Sequence, residues 1–543
     1  MIVDRLFTNA SFVTMDQERP RAEAVAVQGD RIIAVGARHE LEGLSPRETI
    51  DLDGATVVPG FNDAHNHTLR LGMMLSEVQL PSPPIRCLQD IFDAITERAA
   101  STPPGGWVVG CRYDQNKLAE RRHPTAGELA QVAPHHHVWL KHTSLHMAVV
   151  SSSVLALIDI DNAIVPDGGW VERDAAGRAT GLLLENAQDL VNRLTFPHAL
   201  SDVAAALALA GLQLASEGVT SCQEAGIGAG LATTSPQDLA AFALARSRGD
   251  LRTRTTLMVA VDALHDLTGH SDDLVEIGLD LGIASGLGDD MLRIGPVKIW
   301  ADGSLVGRTA AMSDPYADAD TRGDFLYPPA ELGELIRRAH RSGWQIATHA
   351  IGDRAIGTVL DAYEKALAET PRVDHRHRIE HCAVTTDEDV TRIRALGVIP
   401  VPQGRFVNEL GDGMMAALGP RRTPWCYRQR SFLDQGIVVP GSSDRPVVDG
   451  APLAGIADLV LRETSSGKVL NALERITAVE ALRAWTIGSA FASFEEHRKG
   501  RLRPGQLADM AVLDRDILSV DPEAIATTTV LRTVLGGKTT YQA

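Results

Sequence analysis

Two histidines separated by one residue stand at the end of a short apolar segment early in the chain. They are His65 and His67, in the sequence Pro59-Gly-Phe-Asn-Asp-Ala-His65-Asn-His67. In a β-strand, residues i and i+2 point to the same face, so the two imidazoles would project together. Two imidazoles at this spacing can bind one divalent ion. Two unrelated loop histidines would give the same pattern, so the pair alone leaves both interpretations open.

Four further ionisable residues stand within or directly after predicted strands: Lys298, His349, His381 and Asp444. A lysine among apolar strand residues is costly to bury unless it is paired, neutralised or modified. In an α/β barrel, the C-terminal ends of different strands meet at one active site. Their placement therefore predicts one shared metal-binding site, whereas any single one of them could be a core residue.

The elements that must position these residues are short apolar strands that alternate with longer helical segments. This alternation favours a parallel sheet. Segment 329–342 is a predicted helix, because its apolar residues recur at helical spacing. The eight predicted strands are 57–62, 219–224, 253–259, 295–301, 345–349, 377–381, 398–401 and 437–441.

The domain organisation follows from the positions of these strands. Both ends of the chain read as short strands, which predicts a small β-sandwich built from residues 1–58 and 496–543, with the barrel at 59–495. About 150 residues separate the first two barrel strands, far more than a crossover needs, so we expect an inserted subdomain at about 70–200. It follows the strand that carries the two histidines, and we therefore expect it to cap the barrel mouth. The predicted fold class is α/β, a (β/α)₈ TIM barrel.

Composition excludes several classes of function. The chain has 543 residues, 22% of them charged, and a formal net charge of −18 at pH 7. This acidic balance argues against a nucleic-acid partner. The five cysteines form no Cys-x-x-Cys pair, which argues against a disulfide framework or a zinc ribbon and suits a reducing compartment. With no secretory leader and no long apolar window, we expect a cytoplasmic protein without a membrane partner.

The chemistry-bearing residues lie in motifs that resemble those of the amidohydrolase superfamily. The resemblance is to amidohydrolase family 3, a group that includes N-substituted formamide deformylase, and it covers nearly the whole chain. Besides the His-x-His segment, the motifs are Asn9-Ala-Ser-Phe-Val-Thr-Met-Asp, Val297-Lys-Ile-Trp-Ala-Asp-Gly-Ser, His349-Ala-Ile-Gly-Asp, Ile379-Glu-His, Ser442-Ser-Asp-Arg-Pro-Val and Lys499-Gly-Arg-Leu-Arg-Pro-Gly.

The resemblance implies a metal centre with defined ligands. It assigns His65, His67 and Asp444 to one metal and His349 and His381 to a second. Lys298, carboxylated on its amine by CO₂, would bridge them as an anionic ligand, and Glu224 is the alternative bridging ligand. The histidine-rich set favours zinc, with one or two divalent ions per chain.

Such a centre predicts the hydrolysis of an amide-type C–N bond in a small N-acyl or N-formyl compound. Metal coordination lowers the pKa of water from about 15.7 to about 7, so hydroxide exists at neutral pH. Asp444 would take the proton of this water and pass it to the leaving nitrogen. His381 or the second metal would polarise the carbonyl. A cyclic amidase or deaminase on the same scaffold is the enzymatic alternative, and a non-catalytic binding protein is disfavoured because every type of ligand is present.

Several further residues are candidates for substrate contacts. The resemblance places His146 of the inserted subdomain at a substrate-facing position. Glu185, Asp302, Arg308 and Arg354 are further candidates to line the pocket, with structural ion pairs as the alternative. The expected partner is a small-molecule substrate, and a homodimer is compatible with the sequence.

Overall fold

The computed structural model describes residues 1–143, 146–230, 233–270 and 272–543. They form two compact units, of which one consists of Met1–Leu69 with Ala210–Ala543 and the other of Arg70–Leu209. The segment at about 70–200 that the sequence marks as an insertion falls within the second unit.

Most of the strands are short, and the longest helices alternate with parallel strands. In chain order the strands are β1 (Ile2–Thr8), β2 (Ser11–Val13), β3 (Arg21–Ala22), β4 (Ala24–Gln28), β5 (Arg31–Gly36), β6 (Ser45–Asp51), β7 (Thr56–Pro59), β8 (Phe61–Asn66), β9 (Val78–Gln79), β10 (Trp107–Tyr113), β11 (His137–His142), β12 (Met147–Val150), β13 (Gly169–Arg173), β14 (Ala179–Glu185), β15 (Val219–Ile227), β16 (Arg254–Ala260), β17 (His265–Asp266), β18 (Ile277–Gly278), β19 (Leu292–Trp300), β20 (Ile346–Ala350), β21 (Arg378–His381), β22 (Ile399–Val401), β23 (Met510–Leu513), β24 (Val530–Leu535) and β25 (Lys538–Gln542). The α-helices are α1 (Thr68–Ser76), α2 (Leu88–Ser101), α3 (Ala126–Val132), α4 (Ser152–Leu157), α5 (Asp189–Thr195), α6 (Leu200–Ser216), α7 (Asp238–Ser247), α8 (Pro329–Arg341), α9 (Asp353–Glu369), α10 (Asp387–Leu396), α11 (Arg405–Arg422), α12 (Gln429–Asp434), α13 (Pro452–Leu461), α14 (Ala478–Arg483), α15 (Ser489–Ala492) and α16 (Pro522–Ile525).

Seven parallel strands form the sheet that carries the predicted metal ligands. Their order is β22-β21-β20-β19-β16-β15-β8. Strands β8, β15 and β16 are buried along their whole length. Parallel strands with both faces covered are buried in this way. The nearly closed parallel sheet fits a TIM-type α/β fold.

Two of the eight predicted barrel strands are placed differently by the structure. Segment 57–62 is divided, because β7 ends at Pro59, which lacks a backbone N–H, and β8 begins at Phe61. Segment 437–441 forms no ladder strand. The N–H of Ala64 nevertheless donates to the carbonyl of Gly441 at 2.9 Å, so this segment lies against the free side of β8.

The two ends of the chain contribute strands to one sheet. Strands β23, β24 and β25 pair with β7, β2 and β3 in the order β25-β24-β23-β7-β2-β3. A second sheet, β5-β4-β1-β6, lies in the N-terminal segment. One buried apolar cluster contains residues of both sheets, among them Phe7, Phe12, Val25, Val57 and Met510.

The second unit has its own sheet and its own core. The sheet order is β13-β14-β12-β11-β10-β9. Its main buried cluster includes Leu80, Ile91, Val108, Leu140 and Val149.

Among the described residues, no single helix is long and apolar enough to cross a membrane. Segments Asn186–Thr195 and Leu200–Ser216 reach that length and apolarity only as a pair bent by 108°.

A buried ion pair joins β16 to the C-terminal strands. Asp509, just before β23, accepts two hydrogen bonds from the guanidinium of Arg254, at 2.7 and 2.9 Å. Both side chains are 4% exposed. Asp509 Oδ1 also accepts the N–H of Gly536 at 2.8 Å. Neutralising one partner of such a pair leaves a buried charge without compensation.

The substitution Asp509→Asn should therefore lower the free energy of unfolding by about 3–5 kcal/mol, because Arg254 stays buried and charged. The exposed pair of Arg5 and Glu48 provides a matched control, since Glu48→Gln should cost at most about 1 kcal/mol. Urea denaturation of the three proteins measures both values. Equal losses in the two variants would contradict the importance of the buried pair.

Candidate metal centre

Three of the predicted ligands converge inside the barrel. They are His65 on β8, His381 at the end of β21 and Asp444, which follows segment 437–441. Each offers one ligand atom, and the three atoms lie within 4.8 Å of one another. All three residues are buried. The geometry thus joins His65 to two residues that lie hundreds of positions later in the chain.

Asp444 is the residue around which the histidines gather. Its Oδ1 lies 3.3 Å from His65 Nε2 and 3.1 Å from His67 Nε2. Its Oδ2 lies 4.0 Å from His381 Nδ1. Burial alone would favour the protonated acid, but the neighbouring histidines hold the pKa of Asp444 well below its usual range. The carboxylate is therefore ionised and can bind a cation.

His67, His349 and His381 are held in the neutral form that a metal requires. Burial lowers the pKa of all three rings. The pKa of His349 falls well below its usual value, and the pKa of His381 falls to about 3. A neutral imidazole keeps one nitrogen lone pair for coordination. The ring centroids of His349 and His381 lie 4.5 Å apart. The predicted ligand His349 is therefore adjacent to the three residues that converge.

Gln403 fixes the tautomer of His381. The amide nitrogen of Gln403 donates to the carbonyl of Val401 at 2.9 Å, so its oxygen faces His381. His381 Nδ1 therefore carries a proton and donates to this oxygen at 2.8 Å. The other ring nitrogen keeps its lone pair. This tautomer favours the predicted ligand role of His381 over direct polarisation of a carbonyl by a ring N–H.

The contacts of His65 show whether a metal fits. Its Nδ1 lies against the carboxylate of Glu380, an acceptor, so a neutral ring presents a lone pair at Nε2. Among the described residues, His65 Nε2 and Asp444 Oδ1 make no hydrogen bond although both atoms are buried. Two facing acceptors 3.3 Å apart are unfavourable unless a cation lies between them. The residues present fit a divalent metal.

Lys298 and Glu224, the two candidate bridging residues, are both buried. Burial lowers the pKa of Lys298 to about 8, against the opposing effects of Glu380 and Asp444. The charge of Lys298 in turn lowers the pKa of His381. Glu224 accepts the N–H of Leu69 at 3.1 Å, and burial raises its pKa to about 8. Glu224 Oε1 is buried and makes no hydrogen bond among the described residues, so the choice between the two bridging ligands stays a prediction.

The predicted substrate-binding residues of the first unit make hydrogen bonds and ion pairs within that unit. Asp302 is buried and accepts three backbone N–H groups, from Ala311, Ile351 and Gly352. It therefore holds the turn after β20, although its Oδ1 is also 3.5 Å from His349 Nε2.

Arg308 forms an ion pair with Asp318, which matches the structural alternative foreseen for it. Arg354 stacks on Phe325, with its guanidinium carbon 4.9 Å from the ring centroid. It also donates to the carbonyl of Gly323 at 3.3 Å.

In the second unit, His146 and Glu185 contact each other. His146 Nδ1 lies 2.8 Å from Glu185 Oε2, and both side chains are more than half exposed. Their role towards substrate stays a prediction.

Two ligand positions have backbone angles that ordinary residues rarely adopt. The φ angle is 67° at His381 and 57° at Asp444. Non-glycine residues in the left-handed region cost free energy and cluster at functional sites, where neighbouring contacts hold them. Both strained residues are predicted metal ligands.

The residues that hold the ligands were not predicted from the sequence pattern. Asp63 accepts the N–H groups of His65 at 3.2 Å and Ser443 at 3.0 Å, so one carboxylate fixes both ligand segments. Glu380 and Gln403 hold the rings of His65 and His381. A signal existed for Asp63, which shares the i, i+2 spacing with His65, and for Glu380, which stands inside Ile379-Glu-His.

The segment that carries Asp444 is also held from α14 and α15. A π-helical turn, Ala484–Gly488, connects these helices. The carbonyl of Ala484 accepts the N–H of Gly441 at 2.8 Å, and Trp485 packs where a side chain at Gly441 would lie. Glycine is therefore required at the turn leading to Asp444.

Comparisons with known proteins agree with this geometry. The model of the "Amidohydrolase family" matches residues 48–541. The chain is 31% identical to YtcJ of Bacillus subtilis (strain 168), named as an amidohydrolase, over 97% of this chain and 98% of that protein. It is also 31% identical to N-substituted formamide deformylase of Arthrobacter pascens, over 99% and 98% of the two chains. Among solved structures, a metal-dependent hydrolase from Pyrococcus furiosus matches with a TM-score of 0.76 and 26% identity, over 95% of this chain and 100% of that one.

The purified protein should contain about one to two equivalents of a divalent ion, which elemental analysis by mass spectrometry measures. His65→Ala should lose most of this metal, because it removes a nitrogen ligand from the converging set. His497→Ala, which changes a histidine that is 89% exposed, should keep the wild-type metal content. Retention of full metal content by His65→Ala would contradict the assignment.

Proposed function

Because the chain belongs to the amidohydrolase family, we propose that it cleaves the amide-type C–N bond of a small N-formyl or N-acyl compound. The coarser prediction, a metal-dependent hydrolase acting on C–N bonds, is confirmed by that membership. The observation that carries the proposal is the convergence of His65, His381 and Asp444 at strand ends of the barrel. The similarity to N-substituted formamide deformylase extends over 99% of this chain, and it supports an N-formyl substrate in particular.

Asp444 is placed to move the proton. Its ionised carboxylate can accept a proton from the attacking water and return it to the leaving nitrogen, so that the C–N bond breaks without releasing an amide anion. The backbones of the two residues are joined, since the N–H of Asp444 donates to the carbonyl of His65 at 2.8 Å. This bond places the carboxylate next to the histidine ring.

His65, His67, His381 and Asp444 would hold the divalent ion, with His349 adjacent to them. When bound, the ion supplies Lewis-acid chemistry that makes water nucleophilic at neutral pH and polarises the carbonyl. The neutral rings present lone pairs, and the buried position excludes bulk water. We propose zinc as this ion because imidazole nitrogen dominates the ligand set.

A substrate panel tests the proposal directly. The zinc-loaded protein should release formate and amine from N-substituted formamides, with slower turnover of longer N-acyl compounds and little release of ammonia from aminated heterocycles. Asp444→Asn should lower kcat by at least about 100-fold, since it removes the proton acceptor. Preferred release of ammonia, or opening of cyclic amides, would instead support the deaminase or cyclic amidase alternative.

Carboxylation of Lys298 is a separate part of the proposal. Its pKa of about 8 means that most of the amine is neutral at pH 9 and cationic at pH 6. Only the neutral amine has the lone pair that adds to CO₂. Metal-free protein given zinc and ¹³C-bicarbonate should therefore form a lysine carbamate, and gain activity, much more at pH 9 than at pH 6.

Nuclear magnetic resonance of the ¹³C label measures the carbamate. The signal should disappear in Lys298→Met and persist in Lys117→Met, where the lysine is 61% exposed. A fully active, metal-loaded protein with an unmodified Lys298 would overturn this part of the proposal.

A further inference from the structure

A buried ion pair on β21 holds His65 at two points. Arg378 and Glu380 form a bidentate pair, with Nε–Oε1 and Nη2–Oε2 distances of 2.7 and 2.8 Å, and neither side chain is exposed. Glu380 accepts a hydrogen bond from His65 Nδ1. Arg378 Nη2 donates to the carbonyl of Ala64 at 2.7 Å. That carbonyl belongs to the peptide preceding His65, so both the backbone and the ring of His65 are fixed from β21.

The pair also determines which nitrogen of His65 is available. Two hydrogen bonds from a guanidinium keep the Glu380 carboxylate ionised, and an ionised carboxylate can only accept. The proton of a neutral His65 therefore resides on Nδ1, and the lone pair resides on Nε2, which faces Asp444. A carboxylate behind the ring raises the basicity of the ligand nitrogen.

The contacts cross the interior of the barrel. In the sheet order, four strands separate β21 from β8, yet Arg378 reaches Ala64 on β8. Its Nη1 donates to Gln223 on β15. Because β21 also ends in His381, one strand supplies a predicted ligand and orients a second ligand on a distant strand.

We propose that Glu380, held by Arg378, is a positioning residue of the metal centre that sets the tautomer and the orientation of His65. The inference rests on the metal centre of the proposed function and gives Glu380 no part in breaking the C–N bond. Its consequence is a contribution to metal affinity from a residue that does not touch the metal.

Zinc affinity of the full chain tests the inference without any substrate. Competition with a chromophoric chelator should show that Glu380→Gln raises the Kd for zinc about 10–100-fold. The matched control is Glu495→Gln, because Glu495 is equally buried and ion-paired, to Lys499 at 2.7 Å and Arg293 at 3.4 Å. This control should lower the melting temperature but keep the wild-type Kd.

A second variant guards against misfolding, because Glu380→Gln leaves Arg378 without its counter-ion. The double variant Arg378→Met with Glu380→Gln removes both charges and should still bind zinc about 10-fold or more weakly than wild type. Wild-type zinc affinity in both variants, or an equal loss in Glu495→Gln, would overturn the inference. Failure of every N-acyl substrate would count against the proposed function alone, since these zinc measurements use no substrate.

Discussion

Three imidazole rings and the carboxylate of Asp444 lie together inside the barrel, almost without access to water. Removing such groups from water is unfavourable unless each one is hydrogen-bonded, neutralised or bound to a cation. Burial keeps His349 and His381 neutral, and Asp444 remains ionised. The site is thus a set of buried electron-pair donors with no cation among them. A divalent ion would supply the missing positive charge.

The neighbouring structure serves to keep that set in place. Asp63 connects the backbone of β8 to the segment before Asp444, and Gln403 selects one tautomer of His381. The strained backbone of Asp444 is held by β8, because its N–H donates to the carbonyl of His65. None of the holding residues has to contact the substrate, which allows the loops of the barrel mouth to vary while the centre is preserved.

The sequence predicted the parts of this arrangement that follow from topology. His65, His381 and Asp444 could be expected to meet because parallel strands bring their C-terminal ends to one face, whatever the distance along the chain. Segment 437–441 has the composition of a strand, but ladder formation depends on neighbours that the pattern does not reveal. The holding roles of Glu380 and Gln403 were missed because each depends on a partner from another strand. Asp302 and Arg308 stand beside the ligands in sequence, yet their side chains make local contacts with Ala311 and Asp318.

The shared terminal sheet has a practical consequence for shortened versions of the protein. Strand β23 pairs with β7, and β7 leads directly into the strand that carries His65. A chain that lacked only the C-terminal strands would leave β7 without its partner β23, and an unpaired strand edge of this kind can pair with other chains. It would also leave the buried guanidinium of Arg254 without its counter-ion Asp509. The strands at both ends of the chain therefore complete the sheet that supports the metal-binding strand. Removing either end would leave strands of this sheet unpaired.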